Sequence, residues 1–242
     1  MDQGLSLVGD GPLRPPSEHA PSREPGEARA PLPTPSGAPF SAPSGATLSE
    51  LFAASPRDGA ATGFLLAHLP RDRPLLWVQE RMAILEGGRL YPPGLGLSDL
   101  IHVEARDARA ALWAMEEGLR CAALGAVIGE LWGDPRALDF TATRRLAVAA
   151  ERYGVAAYLI RLGGHANLSG ARMRWRIGSS PSLPHPFDPR APGEATWDAE
   201  LFRARGAVPG RWITTRDRAT DPVGVVALPA DRTLAAAERR SA

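Results

Sequence analysis

The sequence predicts an α/β protein: a truncated parallel sheet with flanking helices, finished by a C-terminal antiparallel β hairpin. Three observations predict it. Short unbroken apolar runs of strand length, Leu75 to Val78, Leu124 to Ile128 and Val155 to Ile160, suit strands covered on both faces. Segments with apolar residues at helical spacing separate these runs, and strand–helix–strand order with short connections is the signature of right-handed crossovers. After residue 163 the pattern changes to strict alternation, the signature of a half-covered strand.

The elements follow in order. Residues 1–45 hold ten of the 24 prolines and a single aromatic, Phe40. Such a segment buries too little apolar area to offset its ordering entropy and is expected to be disordered. Thr47 to Phe52 reads as a short helix. Asp58 or Gly59 opens a second helix through Ala61, Phe64, Leu65 and His68. Leu75 to Val78 is the first strand and Leu100 to Val103 the second. Asp107 caps a helix whose Ala108, Leu112, Met115 and Leu119 share one face. Leu124 to Ile128 is the third strand. Thr141 or Thr143 caps a helix with Leu146, Ala149, Ala150 and Tyr153 inward, and Gly154 stands where a left-handed C′ residue is wanted. Val155 to Ile160 is the fourth strand. Arg172 to Ile177 alternates, residues 178–195 form a Pro-rich loop, and Thr196 to Arg205 with Arg211 to Thr215 form a hairpin. The expected organisation is a tail over 1–45, an α/β domain over 46–228 and a fraying segment over 229–242.

Composition narrows the function. The chain has 242 residues, 44% of them hydrophobic, and a net charge of +1, which excludes a uniformly basic or acidic protein. The charge is uneven: residues 139–242 carry 16 Arg against 10 acids, whereas residues 46–138 carry 9 against 12. No apolar run approaches the roughly 18 residues needed to span a bilayer. The opening MDQGLSLVGDGPLRPP has no basic segment leading into an apolar one, so no secretory leader is expected. With one cysteine, Cys121, an internal disulfide is impossible and a cytoplasmic home is expected; next to a buried strand, the thiol reads as a small buried hydrophobe. There is no lysine, which excludes both a Schiff base and a phosphate-loop lysine.

Candidate chemistry is sparse. No glycine-rich turn follows Val78 or Val103, and the turn after Ile128 offers carboxylates where phosphate would sit. Glu130 and Asp134 are the best acidic pair, read either as magnesium-holding carboxylates or as solvated loop acids. The histidines at 19, 68, 102, 165 and 185 are scattered, without metal-ligand spacing, and His68 reads as a helix-surface residue. No GxSxG elbow occurs. The sequence therefore points to no catalytic residue, metal or cofactor. Its strongest surface feature is the alternation that puts Arg172, Arg174 and Arg176 on one strand face, with Arg203, Arg205 and Arg211 on the following hairpin. Such a face suits phosphates or an acidic partner, or simply protects a sheet edge.

The pieces in this order resemble a known family. ATGFLLAHL, LLWVQ, GRLYPPGLGL, ALWAMEEGLRCAALGAVIGELWG, LDFTATRRLAVAAERYGVAAYLIRL, RMRWRI and ELFRARGAVPGRWI together resemble the inducible mutagenesis family ImuA, over roughly residues 46–216. ImuA proteins look like degenerate relatives of the RecA ATPase core. The resemblance implies a RecA-like sheet in which Glu130 falls near the place of the magnesium-associated acid. It implies that residues 162–171 are the remnant of a DNA-binding loop, and that the N-terminal strand and phosphate loop give way to the Pro-rich segment. ATP hydrolysis does not carry over. The family implies a non-catalytic adaptor in SOS-induced, error-prone translesion DNA synthesis. Its partners would be an ImuB-type Y-family polymerase relative, an error-prone C-family DNA polymerase and RecA, with DNA touched directly or through them. The alternatives are a residual nucleotide-binding ATPase and a SulA-like cell-division regulator.

Overall fold

The computed structural model describes residues 45–226 apart from 96, 98, 189 and 217–222, with backbone alone at 216 and 223–226. The Pro-rich segment and the Ala- and Arg-rich C-terminal segment lie outside the described residues. The elements are β1 (Leu48–Ala53), α1 (Ala60–Leu66), β2 (Leu75–Glu80), α2 (Arg81–Gly87), α3 (Pro92–Leu95), β3 (Leu100–Ala105), α4 (Ala108–Leu119), β4 (Ala126–Trp132), α5 (Phe140–Tyr153), β5 (Ala156–Leu162), β6 (Met173–Ser180), β7 (Thr196–Ala204), β8 (Gly210–Arg216) and β9 (Val223–Val226). The strands form one sheet in the order β3-β2-β4-β5-β1-β6-β7-β8-β9. From β3 to β6 every pairing is parallel, and from β6 to β9 every pairing is antiparallel. The α/β reading with a C-terminal antiparallel hairpin therefore stands.

Both faces of the parallel half are covered, as its apolar strands require. On one face α4 and α5 bring Leu112, Met115, Leu119 and Leu146 against Val78, Val127 and Leu159. On the other, Phe64 and Leu65 of α1 pack with Trp77, Ile128, Ile160 and Trp175. Aromatic contacts extend that second core under the hairpin: Phe64 lies 5.5 Å from Trp175, and Trp175 lies 6.2 Å from Trp212. The approach of α4 to the sheet is close enough that a Cβ on Gly129 would stand 2.2 Å from Met115 Sδ. No helix among the described residues is long and apolar enough to cross a membrane.

Five expectations are corrected. Leu48–Ala53 is a strand, not a helix, and it occupies the middle of the sheet between β5 and β6. Its polar Ser49 and Glu50 are fully buried because neighbouring strands cover them, a tertiary context that outweighs local pattern. The N-terminal strand is thus present rather than replaced by the Pro-rich segment. The α5 cap is Asp139, whose carboxylate accepts from Ala142 N at 2.7 Å; Thr143 instead donates back to the carbonyls of Asp139 and Phe140. Cys121 is exposed, because it lies in the turn between α4 and β4 rather than under the strand. His68 is not a free surface residue: it is half-buried with its ring 4.4 Å from Phe64, and burial holds its pKa below the ordinary value. Gly154 does adopt the left-handed C′ conformation, with φ 71°.

Candidate functional site

In open α/β sheets ligands bind outside the carboxyl ends of the parallel strands. At the centre of this sheet β1 runs through the turn at 54–59 into α1, the strand–turn–helix place where a phosphate loop would lie. Here the chain supplies its own anion. Asp58 Oδ1 accepts from Ala60 N at 2.9 Å and from Ser179 Oγ at 2.6 Å, and Oδ2 accepts from Ser179 N at 2.9 Å. Burial works to raise the Asp58 pKa, but these hydrogen bonds outweigh it and hold the carboxyl below its ordinary value. A carboxylate therefore answers the amide that would greet a phosphate.

The neighbouring acids are also occupied, and Glu130 stands within β4 rather than in a turn after Ile128. Glu130 is buried, and its Oε2 accepts from Trp77 Nε1 at 3.2 Å and Gln79 Nε2 at 3.0 Å. Burial pushes its pKa up, against those two hydrogen bonds. Glu80 accepts from Trp132 N at 3.0 Å and stitches β2 to β4. Asp134 turns the other way. It accepts from His165 N at 2.9 Å, from His165 Nδ1 at 2.7 Å and from Arg161 Nη2. Burial acts to raise its pKa and the His165 and Arg161 contacts hold it below the usual range. The two acids that the sequence offered as a pair are thus engaged by different partners.

The arginines are the more open feature. Register puts all six predicted ones on one sheet face. Arg172, Arg174 and Arg176 alternate along β6 and its entry, Arg174 pairs with Arg203, Arg176 with Glu200, and Glu200 with Arg211. Arg205 joins through its backbone N–H, which donates to Arg172 O at 2.8 Å. A β-bulge opposite Arg174 and Trp175 lets the consecutive residues Phe202 and Arg203 serve this face together.

Their environments differ. Arg174 is buried, and its Nε donates to Glu50 Oε2 at 2.6 Å. Arg161 of β5 is also buried and lies 3.6 Å from Glu50 Oε1. Phe52 sits between these two guanidiniums, 5.3 Å from Arg161 and 5.2 Å from Arg174, while Phe202 lies 5.4 Å from Arg174 and 4.2 Å from Arg176. Arg176 pairs with Glu200 at 3.1 Å, and Arg211 grips both oxygens of Asp198. These charges are consumed inside the protein.

At the other end of the same face, α5, the 169–171 segment and the end of β7 enclose a groove of about 610 Å³. Arg144, Arg172, Arg203 and Arg205 line it, with Phe140 and Val148, and no acid is among its lining residues. Arg172 is held by Glu151 at 2.6 Å. The side chains of Arg144 and Arg203 form no ion pair or hydrogen bond with another described residue, and Arg205 feels the Glu151 carboxylate without bonding to it. The floor is fixed by close packing: Gly170 N donates to Thr143 Oγ1 at 3.0 Å, and a Cβ on Gly170 would lie 2.7 Å from Arg144 Cα.

No family model matches the sequence. Protein ImuA of Caulobacter vibrioides strain NA1000 / CB15N is 35% identical over 201 residues, covering 74% of this chain and 79% of that protein. Protein ImuA of strain ATCC 19089 / CIP 103742 / CB 15 matches to the same extent. The chain belongs to the ImuA family.

For this ImuA-family chain the sequence found Arg172, Arg203 and Arg205 of the groove and missed Arg144. The doublet Arg144-Arg145 was visible on α5, but Arg145 is spent on Glu116 at 2.8 Å. Nothing local distinguishes the two residues.

Proposed function

We propose that this chain is a non-catalytic accessory protein of damage-induced, error-prone DNA synthesis. It works beside an ImuB-type relative of the Y-family polymerases and an error-prone C-family polymerase, with RecA as a further contact. Membership of the ImuA family supports the pathway. One observation above all supports a role without ATP chemistry: the turn after β1 is held by the Asp58 carboxylate, in a chain with no lysine. The groove's excess of arginines over acids supplies a surface for an anionic partner.

Two measurements test the reading. A ligand at 100 times its dissociation constant stabilises a fold by about 2.7 kcal/mol, so ATP and magnesium at millimolar concentration would raise the unfolding temperature of a nucleotide-binding protein visibly. No shift is expected here, and a saturable one would overturn the non-catalytic reading. The second is affinity recovery of the tagged protein before and after DNA damage, identified by mass spectrometry. A polymerase-type partner, enriched after damage and resistant to nuclease, is expected. Recovery of a tubulin-like division protein in its place would overturn the assignment.

A further inference from the structure

We infer that the groove between α5 and the end of β7 binds single-stranded nucleic acid directly, with Arg144, Arg203 and Arg205 on successive phosphates and Phe140 stacking on an unpaired base. The inference deepens the accessory reading above and rests on it for the biological setting alone.

Charge comes first. The described chain spends most of the arginines on this face internally, and the groove is where the balance fails. Its lining has four guanidiniums and no carboxylate; one acid beside it, Glu151, serves Arg172 directly and Arg205 at longer range. Four guanidiniums that share one neighbouring carboxylate repel one another, and an anionic ligand relieves that cost. Arg203 and Arg205 stand two residues apart at the end of an extended strand, roughly 7 Å along the chain. That interval is of the same order as the phosphate spacing of an extended single strand. The guanidinium fork grips phosphate with two parallel hydrogen bonds, so each position suits one phosphate.

The aromatic residue selects the strandedness. Phe140 is 40% exposed at the first turn of α5, although its ring is large and apolar. A base still paired in a duplex has its faces covered by its neighbours, whereas an unpaired base can stack on an exposed ring. Val148, 50% exposed, extends the apolar wall two turns further along α5. An acidic peptide would use the same arginines but has no general need of a ring at the rim.

The site is also preformed. Gly170 packs against the Arg144 backbone, and Arg205 N is bonded to Arg172 O, so both walls are joined through main chain rather than through long side chains. A ligand meets positions already set, which lowers the ordering cost of binding.

The test is fluorescence anisotropy with labelled oligo-dT, the duplex of the same length, and a labelled poly-glutamate peptide, each over a range of salt. Oligo-dT is expected to bind more tightly than duplex or peptide. For single strands the log–log salt slope is about −0.7 per neutralised phosphate, so Arg203→Ala with Arg144→Ala should flatten it by about 1.4 and weaken binding at least tenfold. Phe140→Ala should weaken oligo-dT binding roughly tenfold and leave the salt slope unchanged. Arg176→Ala, outside the groove and paired with Glu200, should change neither. All four residues are exposed, and circular dichroism confirms that each variant folds. Duplex binding as tight as oligo-dT and indifferent to Phe140→Ala would overturn the inference. So would binding of the glutamate peptide alone, lost in the arginine double variant. If nothing binds the groove while damage-induced polymerases are still recovered, the inference fails and the accessory reading survives. If oligo-dT binds as expected and no such partner is recovered, the reverse holds.

Discussion

Glu50→Leu should be among the most damaging single changes in this protein. Glu50 and Arg161 have fully buried side chains, and that of Arg174 is 4% exposed. Glu50 lies between the two arginines, accepting from Arg174 Nε at 2.6 Å and facing Arg161 Nη1 at 3.6 Å. Removing one member of a buried ion pair costs about 3–5 kcal/mol, because a charge is left uncompensated in a poor dielectric. Arg161 would keep Asp134, and Arg174 would keep only ring faces, so the loss belongs near the lower end, about 3 kcal/mol. Natural domains hold about 5–15 kcal/mol in total, so a large share is at stake. For a domain of this size each kcal/mol moves Tm by roughly 2–4 °C, which gives about 6–12 °C. Thermal unfolding followed by the fluorescence of buried Trp77, Trp175 and Trp212 reads this directly. The double variant Glu50→Leu with Arg174→Met removes the stranded charge and should recover most of the loss. A single variant costing under about 1 kcal/mol, or a double variant as poor as the sum of its parts, would refute the reasoning.

Glu130→Gln should raise the unfolding temperature at neutral pH. Burial raises the folded pKa of Glu130, so the native state binds this proton more tightly than the unfolded chain does. Stability linked to it is greatest in acid and declines as pH rises from the ordinary carboxyl value through the folded one, and the amide removes that decline. An unfolding temperature lowered by the substitution would show that the ionised form is favoured in the fold. Asp58→Ala removes the carboxylate that accepts from Ala60 N at the start of α1 and from Ser179, at a cost of about 1–2 kcal/mol. The folded pKa of Asp58 is lowered, so the difference from wild type in urea unfolding should be full above about pH 4 and fade as pH falls through the lowered value. A difference that persists unchanged into acid would disprove the charge-based account. Gly170→Ala places a methyl 2.7 Å from Arg144 Cα and 2.8 Å from Arg144 N, main-chain atoms that cannot rotate away. A loss of about 1–3 kcal/mol is expected. Oligo-dT affinity should fall although no charge has changed, and unaltered affinity would separate the floor from the site.

The legible parts of the fold were those whose signal is local. Leu75 to Val78 and Val155 to Ile160 are apolar throughout because helices cover both of their faces, and α4 advertises its buried side through Leu112, Met115 and Leu119. The strand Leu48–Ala53 was missed for the opposite reason. Glu50 looks like a solvated position until Arg174, 124 residues later, is brought beside it. The arginine face followed the same division. Alternation placed Arg172, Arg174 and Arg176 together, but whether each is free depends on Glu151, Glu50 and Glu200, and distance along the chain conceals those partners. Arg144 reaches the groove because the 169–171 segment packs against its backbone, and no spacing rule connects those positions.

The bulge in β7 has a consequence for how an approaching ligand is oriented. Strict alternation would send Arg203 and Arg205 to the opposite side from Asp198 and Glu200. The extra residue brings all four to one side, acids first and bases after. At the acidic end Arg211 and Arg176 cancel the charge, whereas at the basic end Glu151 alone faces Arg172 and Arg205 and leaves Arg203 unanswered. The strand thereby carries an electrostatic gradient along its length, neutral at the start and positive at the finish. A flexible polyanion drifting over this surface would be drawn toward one end, so that it enters the groove from a single direction.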